Sequence, residues 1–339
     1  MTGFDRLYAV AAERTIPLEV TIELTHHCNF RCKHCYLPAQ REAGRLSTAR
    51  TLSLLEELAA MGTMRLVLSG GEPLLCSDWL EIAQRARELG FVLHIYTNGS
   101  LINEDVVATL RPLDPFMEVS LYSMDQEVFE HITGVPGSFH PVIRGIELMC
   151  EAEMKVSLKI PLMDCNWQGL GSIVRFAETV GAEWNSYEKL VARRDGRLEN
   201  LNLRLALHDL TRHYRNPLSG CPPPEPGRLP CDGPLCAAAT RYCCIGPTGE
   251  VMACNLLPES GGNLNRKAFR EVWERSEWFE ELRRVRVQDL HTCRSCDRLP
   301  FCGRCHAQAL VEDGDLLGPS RWACEHAEAL EDAFRSGAK

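Results

Sequence analysis

Two spacings of hydrophobic residues alternate along roughly the first 190 positions of the chain. Short apolar runs rich in Val, Ile and Leu predict buried strands, and apolar residues recurring every three or four positions predict amphipathic helices. The predicted strands are Leu18–Leu24, Arg65–Leu68, Val92–Tyr96, Met117–Tyr122, Lys155–Ile160 and Glu183–Leu190. The predicted helices are Ser47–Met61, with Ser47 as N-cap, Asp78–Leu89, Glu104–Leu110, Val142–Ala152 and Leu170–Val180.

This alternation of strand and helix predicts an α/β fold with a parallel sheet. Six βα units are fewer than the eight that close a complete barrel. An open, partial barrel and a doubly wound sheet both satisfy the pattern. The functional side chains of either fold are expected at the carboxyl ends of the strands.

The chain changes character after about residue 215. Seven of the nineteen prolines fall between Asn216 and Leu235, which indicates a linker or a loop that wraps a cofactor. Beyond this segment, Tyr242–Ile245 and Glu250–Ala253 predict a β-hairpin, and Phe269–Val285 predicts a helix. A cysteine-rich tail follows.

Composition and charge exclude several classes of function. The 339 residues are 45% hydrophobic and 24% charged, as in ordinary globular proteins. The net charge of −9 and the lack of any basic block argue against nucleic acid and anionic membrane surfaces as partners. No signal peptide and no apolar stretch of bilayer length is present, so we expect a cytoplasmic protein that spans no membrane.

Seventeen cysteines are the most unusual feature of the composition. A reducing cytosol does not sustain so many disulfides, so ligation of metals or clusters is the expected use. The cysteines are also grouped, with three in residues 28–35, six in 221–254 and five in 293–324. This grouping predicts discrete sites.

The first group consists of Cys28, Cys32 and Cys35, which directly follow the first predicted strand. Three thiolates on one short loop can bind three corners of an iron–sulfur cube and leave the fourth iron open. An open coordination position is typical of catalytic metal sites. A zinc site is the alternative, with His26, His27 or His34 as the fourth ligand.

Three motifs at successive strand ends together resemble the radical S-adenosylmethionine (SAM) superfamily over about residues 18–190. They are the Cys28–Cys35 loop, Gly70-Gly71-Glu72-Pro73 after the second strand and Thr97-Asn98-Gly99 after the third. The resemblance implies a partial (β/α)6 TIM-type barrel over residues 1–190. It also implies a [4Fe–4S] cluster whose open iron binds SAM.

The resemblance assigns roles to individual residues. Cys28, Cys32 and Cys35 would bind the cluster. His34, which stands where the family usually has an aromatic residue, would meet the adenine of SAM. The other residues implied to contact SAM are Gly70, Gly71, Glu72, Pro73, Asn98 and Ser120.

The C-terminal part, over about residues 231–326, resembles the SPASM extension of radical SAM enzymes. Its spacing is Cys236, then Gly249-x4-Cys254, then Cys293-x2-Cys296-x5-Cys302, then Cys305 and Cys324. The family usually places three residues between the cysteines equivalent to Cys302 and Cys305, and this chain has two. We expect a SPASM domain over residues 231–339, joined to the barrel by a bridging segment over residues 191–230.

The same resemblance implies two auxiliary [4Fe–4S] clusters, making three in all. The first would use Cys231, Cys236, Cys254 and Cys305, and the second Cys293, Cys296, Cys302 and Cys324. Cys243 and Cys244 compete with Cys231 or Cys236, although we expect one or both to be plain buried cysteines. A zinc ribbon is the alternative for the 293–305 group.

Three residues near the predicted strand ends are candidates for catalysis. Asp164 and Cys165 lie just past the fifth strand, where Cys165 would return a hydrogen atom to a substrate radical and Asp164 would act as a base. Cys76 follows the Gly70–Pro73 motif closely. The alternative for these residues is a loop acid and buried thiols.

SPASM proteins mostly modify ribosomally made peptides, so the resemblance implies reductive cleavage of SAM to a 5′-deoxyadenosyl radical that abstracts hydrogen from a peptide. The product would be crosslinked, epimerised or oxidised. Tailoring of a small molecule such as a tetrapyrrole is an alternative, and a metal-binding or electron-carrier protein without SAM turnover is another. Expected partners are a peptide with a leader and a flavodoxin or ferredoxin as electron donor. A separate leader-binding protein, or none, is implied for the leader.

Overall fold

Six parallel strands form the first part of the fold in the computed structural model, which describes residues 3–38, 44–220 and 235–336. Each strand predicted from the sequence is present, with its ends shifted by no more than about three residues. The strands are β1 (Glu19–Thr25), β2 (Arg65–Gly70), β3 (Val92–Thr97), β4 (Phe116–Ser120), β5 (Lys155–Pro161) and β6 (Glu183–Tyr187).

One helix precedes β1, and others connect the strands that follow it. They are α1 (Gly3–Glu13), α2 (Thr48–Ala60), α3 (Trp79–Glu88), α4 (Glu104–Leu110), α5 (Gln126–Thr133), α6 (Phe139–Glu151) and α7 (Leu170–Val180). All five predicted helices are confirmed, and the Ser47 side chain caps α2 by accepting a hydrogen bond from the Arg50 amide. The sequence did not predict α1 or α5.

The sheet is open rather than closed, with strand order β6-β5-β4-β3-β2-β1 followed by three further strands. Consecutive parallel neighbours require a helical crossover between each pair, which the helices supply. The partial barrel predicted from the sequence is therefore confirmed. All carboxyl ends of β1–β6 lie at one edge, so their following loops meet there.

The further strands are β7 (Tyr242–Ile245), β8 (Glu250–Met252) and β9 (Ser260–Asn263). The predicted hairpin is present as the antiparallel pair β7–β8, and β7 also pairs in parallel with β1. One sheet thus runs from the barrel into the C-terminal part. The division into residues 1–190, 191–230 and 231–339 stays a prediction.

The predicted helix Phe269–Val285 is two helices in the structure. Ser276 interrupts it with extended backbone angles (φ −70°, ψ 118°), and its hydroxyl accepts a hydrogen bond from the Phe279 amide. A serine that bonds the backbone in this way competes with continued helix. The C-terminal helices are α8 (Leu207–Tyr214), α9 (Phe269–Arg275), α10 (Glu277–Arg284), α11 (His306–Asp313) and α12 (Arg321–Ser336).

The core lies between the sheet and the helices packed on it. Leu54, Leu55 and Leu58 of α2 are fully buried at the spacing of one helical face, and they belong to the same hydrophobic cluster as Val20 and Ile22 of β1. Within the described residues no helix has the length and apolarity needed to cross a bilayer. The packed helices leave the carboxyl edge of the sheet available for a site.

Candidate active site

The loop after β1 carries Cys28, Cys32 and Cys35 onto the wall of a cavity of about 440 Å³ at the carboxyl edge of the sheet. None of these three cysteines is part of a disulfide. The loop is fixed from outside by α5, because the carbonyl oxygens of Thr133 and Ile132 accept hydrogen bonds from the Arg31 and Lys33 amides, each over 2.9 Å. The unpredicted helix α5 therefore sets the shape of the cysteine loop.

Gly70 and Gly71 also line this cavity. A side chain at either position would collide with the protein's own main chain. A Cβ atom on Gly70 would fall 2.2 Å from the Thr25 carbonyl oxygen, and one on Gly71 would fall 2.3 Å from that of His27. The Gly71 amide donates to the Thr25 carbonyl over 2.7 Å. Close packing of two loops thus demands both glycines.

Glu72 and Pro73 lie behind the cavity rather than on its wall. The Glu72 carboxylate is fully buried and accepts hydrogen bonds from the Thr97 hydroxyl and the Asn98 amide, both over 2.8 Å. Burial raises the pKa of Glu72 to about 7, although the hydrogen bonds from Asn98 and Thr97 oppose the shift. Glu72 therefore ties the loop after β2 to the loop after β3.

Asn98, which the resemblance assigns to SAM, lines the cavity and also holds the cysteine loop. Its side-chain amide nitrogen, Nδ2, donates to the Asn29 side-chain oxygen over 2.8 Å and lies 3.8 Å from the Cys28 sulfur. The Thr97-Asn98-Gly99 turn therefore positions one end of the loop that carries the cysteines.

His34 and Ser120, the remaining residues predicted to contact SAM, are on the cavity wall. The His34 ring packs edge-to-face against Tyr122 with 4.9 Å between ring centroids. Burial lowers the pKa of His34 to about 4, and the charge of Arg193 adds to the shift. The ring is therefore neutral at physiological pH and presents an aromatic surface.

The C-terminal cysteines fall into the two groups predicted from the sequence. Burial, together with the nearby thiols of Cys305 and Cys236, raises the pKa of Cys254 to about 12. Burial raises the pKa of Cys302 to about 11, and it has its own neighbours, the thiols of Cys324, Cys293 and Cys296. The described members of each predicted set are thus near one another.

Three other cysteines bear on these sets. Cys243 and Cys244 lie on β7 with no exposed surface. Burial raises the pKa of Cys244, and the nearby thiol of Cys254 adds to the shift, so the role of Cys243 and Cys244 as plain buried cysteines stays a prediction. Cys231, predicted as a ligand of the first auxiliary cluster, lies outside the described residues. The choice of fourth ligand for that cluster stays a prediction.

Sequence comparison decides the family. A profile of the radical SAM superfamily matches residues 22–177, and a profile of the SPASM iron–sulfur cluster-binding domain matches residues 236–297. The chain is a radical SAM enzyme with a SPASM domain. The cysteine loop falls inside the first match, and Cys236, Cys254, Cys293 and Cys296 fall inside the second.

Relatives of this radical SAM enzyme carry out different reactions. An AdoMet-dependent heme synthase of Methanosarcina barkeri is 27% identical over 89% of this chain and 94% of its own. The mycofactocin maturase MftC of Mycolicibacterium smegmatis is 29% identical over 89% of this chain and 81% of its own. The structure of Streptococcus suis SuiB bound to precursor peptide SuiA covers 94% of this chain and 79% of its own, with TM-score 0.71 and 18% identity, which shows a shared fold.

The residues of this radical SAM site suit an iron–sulfur cluster and SAM. Cys28, Cys32 and Cys35 are the thiols among the described residues of the cavity wall, which matches a cube with one open iron. No three His, Cys, Asp or Glu side chains within residues 3–38, 44–220 and 235–336 meet the spacing of ligands around a single metal ion. A cluster held there would supply the electron that cleaves SAM.

The predicted catalytic residues lie outside the wall of the cavity. Cys76 is part of the loop between β2 and α3 and is 4% exposed, with its sulfur 3.0 Å from Asp78 and 3.1 Å from Arg45. This placement favours the alternative of a buried thiol. Asp164 and Cys165 are exposed on the loop after β5, at the same edge of the sheet as the cavity.

Two charged residues of the cavity were missed by the sequence analysis. Glu118 of β4 and Lys159 of β5 line it and form an ion pair with 2.9 Å between oxygen and nitrogen. Burial opposes ionisation, but hydrogen bonds from His94 and Lys159 hold the pKa of Glu118 below its usual value. The available signal was a carboxylate inside an apolar strand, since such a residue has to face either a partner or a cavity.

Proposed function

We propose that Cys28, Cys32 and Cys35 hold a [4Fe–4S] cluster whose open iron binds SAM, and that SAM is cleaved to a 5′-deoxyadenosyl radical which abstracts hydrogen from the substrate. The observation that carries this proposal is the shared cavity wall, where the three thiols meet Gly70, Gly71, Ser120 and His34. Glycines offer close approach to main chain, and a neutral aromatic ring offers a stacking surface.

We propose a ribosomally made peptide as the substrate. The cavity of about 440 Å³ has to hold SAM as well, so a single side chain of an extended peptide fits it better than a whole macrocycle. Among its described lining residues Lys159 is the lone Lys or Arg, and it is paired with Glu118. Several substrate carboxylates would find no cationic partner there.

The second candidate is a tetrapyrrole. Its support is the heme synthase of Methanosarcina barkeri, which aligns over nearly its whole length with this chain. The support for the peptide is the likeness to the mycofactocin maturase MftC. The two sequence identities, 27% and 29%, are too similar to separate the candidates. Our preference for the peptide therefore rests on the chemistry of the cavity wall.

The remaining parts of the proposal concern electrons and partners. Two auxiliary [4Fe–4S] clusters in the SPASM domain would accept the electron released when the substrate radical is oxidised. A flavodoxin or ferredoxin in the cytoplasm would reduce the SAM cluster, and a separate protein would bind the leader of the peptide. The described cysteines form no disulfide with one another, which suits a reducing compartment.

The test is an anaerobic incubation with SAM and a strong reductant, in the presence of peptides encoded beside the gene or of carboxylated porphyrin precursors. The peptide proposal predicts 5′-deoxyadenosine together with a change in peptide mass. A gain of about one dalton in D2O would indicate epimerisation, and a loss of about two a crosslink or oxidation. Turnover of a porphyrin with no peptide present would establish the second candidate.

The matched control replaces Cys28, Cys32 and Cys35 with alanine, which should abolish formation of 5′-deoxyadenosine. Zinc in place of iron in anaerobically purified protein, with no cleavage of SAM under any condition, would overturn the proposal. That result would favour a metal-binding protein without SAM turnover.

A further inference from the structure

Arg194 occupies an unusual position in the segment between β6 and α8. It opens a tight turn, in which the Arg193 amide donates to the Arg197 carbonyl over 3.0 Å. Its guanidinium points inward, and the side chain is 5% exposed. A buried guanidinium requires nearby partners, because removing its charge from water is costly.

Arg194 contacts both ends of the cysteine loop. Before the cysteines, its Nη2 atom donates to the Glu23 carboxylate over 2.6 Å and lies 3.2 Å from Nε2 of His26. After the cysteines, its main-chain amide donates to the Tyr36 carbonyl over 2.9 Å, and its guanidinium lies over the Tyr36 ring, 5.6 Å from the ring centroid. One residue thus fixes the chain on either side of Cys28–Cys35.

Arg194 also contacts the SPASM side of the molecule. Its Nη1 atom lies 3.2 Å from the sulfur of Met252 on β8. The same segment is joined to α11 by the ion pair of Arg204 and Glu312, with 2.7 Å between nitrogen and oxygen. The cysteine loop and the auxiliary domain are therefore held by one short stretch of chain.

The pair of Arg194 and Glu23 is buried directly behind the cavity wall, where the hydroxyl of Tyr36, a lining residue, donates to the Glu23 carboxylate over 3.2 Å. Glu23 has no exposed surface, and neither residue lies on the cavity wall. They therefore act on the site through other residues. A buried ion pair adds little to stability compared with a well-packed apolar pair, so stability alone does not explain it.

We propose that Arg194 is a positioning residue that holds both ends of the Cys28–Cys35 loop against β1 and against the SPASM hairpin, so that the three thiols keep the spacing at which SAM binds. This inference rests on the proposed function of that loop. It predicts that SAM binding depends on Arg194 even when the buried charge is balanced by other means.

The experiment compares Arg194→Met with the double variant Glu23→Gln/Arg194→Met. The single variant leaves Glu23 buried without its cation, so both its unfolding midpoint and its SAM affinity should fall. The double variant carries neither charge and should regain the unfolding midpoint. We expect its affinity for SAM, measured by anaerobic dialysis, to stay at least tenfold weaker, and the shift of the reduced cluster's EPR signal on adding SAM to be lost.

Two further variants complete the design. Arg197→Met removes an exposed arginine from the same turn and should match the wild type in iron content, EPR signal and affinity. Arg194→Lys keeps the buried positive charge but not the forked donors, and should bind SAM at least threefold more weakly.

Wild-type affinity and EPR response in the double variant would overturn the proposal, because Arg194 would then serve only to balance Glu23. Should the double variant not fold, the same wild-type behaviour in Arg194→Lys would overturn it. Failure of the proposed function is a separate result, since it would appear as absence of 5′-deoxyadenosine in the wild-type enzyme itself.

Discussion

Gly71 and His27 approach so closely that a Cβ atom at residue 71 would lie 2.3 Å from the His27 carbonyl oxygen. The next amide along, that of Glu72, donates to this same oxygen over 2.8 Å. Because His27 directly precedes Cys28, the loop after β2 supports the start of the cysteine loop. The glycine pair is thus part of the frame that holds the thiols.

We predict that Gly71→Ala displaces this frame. The clash is with main chain, which cannot move aside as a flexible side chain does, so unfolding should become easier by roughly 1–3 kcal/mol. Iron loading and SAM cleavage should both fall. Gly171→Ala is the matched control, because a Cβ there meets only ordinary contacts at 3.5 Å and beyond. Equal iron content in the two variants would contradict the prediction.

The iron content of single-cysteine variants should distinguish ligands of the auxiliary clusters from cysteines that are only buried. Cys254→Ala and Cys305→Ala each remove a predicted ligand of the first auxiliary cluster, so iron should drop by about four per chain from about twelve. Cys243→Ala removes a buried thiol from β7 and should keep full iron. Anaerobic iron analysis with Mössbauer spectroscopy makes the measurement. Loss of a cluster in Cys243→Ala would reassign the ligand.

Stability should fall as pH rises through the titration of Glu72. Its pKa in the folded enzyme is raised to about 7, against 4.5 in its unperturbed state, so the folded protein holds the proton more tightly. Raising the pH from about 5 to 8 therefore favours unfolding, by at most roughly 3 kcal/mol.

Glu72→Gln tests this origin of the pH dependence. The variant has no proton to lose, so its anaerobic unfolding midpoint should vary less between pH 5.5 and 8 than that of the wild type. Parallel pH profiles for the two proteins would show that Glu72 ionises normally.

Cys165 and Cys76 should respond differently to replacement by alanine. Cys165 is exposed at the edge of the sheet that carries the cavity, so Cys165→Ala should preserve SAM cleavage and, if the product is an epimer, abolish the gain of about one dalton in D2O. Cys76 is buried, so Cys76→Ala should lower the unfolding midpoint without changing the product. An altered product from Cys76→Ala would contradict this prediction and support Cys76 as a hydrogen donor.

The sequence by itself determined the local elements and the cysteine spacing. Apolar runs such as the Leu-Val-Leu of residues 66–68 predict strands, because burial on both faces of a parallel sheet demands continuous hydrophobic residues. The spacing of Cys28, Cys32 and Cys35 is also local, since one loop carries all three. These features depend on neighbours along the chain, so they can be predicted without knowing the tertiary structure. Helix α5 was missed although it shapes that loop.

Only the tertiary structure decided which side chains meet. Glu23 and Arg194 are 171 residues apart in sequence, and only the path of the chain after β6 brings the guanidinium to β1. The fold likewise buried Cys76 in the loop after β2 and broke a predicted helix at Ser276. Pairings of this kind follow from sheet register and loop course, which arise from the summed packing of the whole domain rather than from any local pattern.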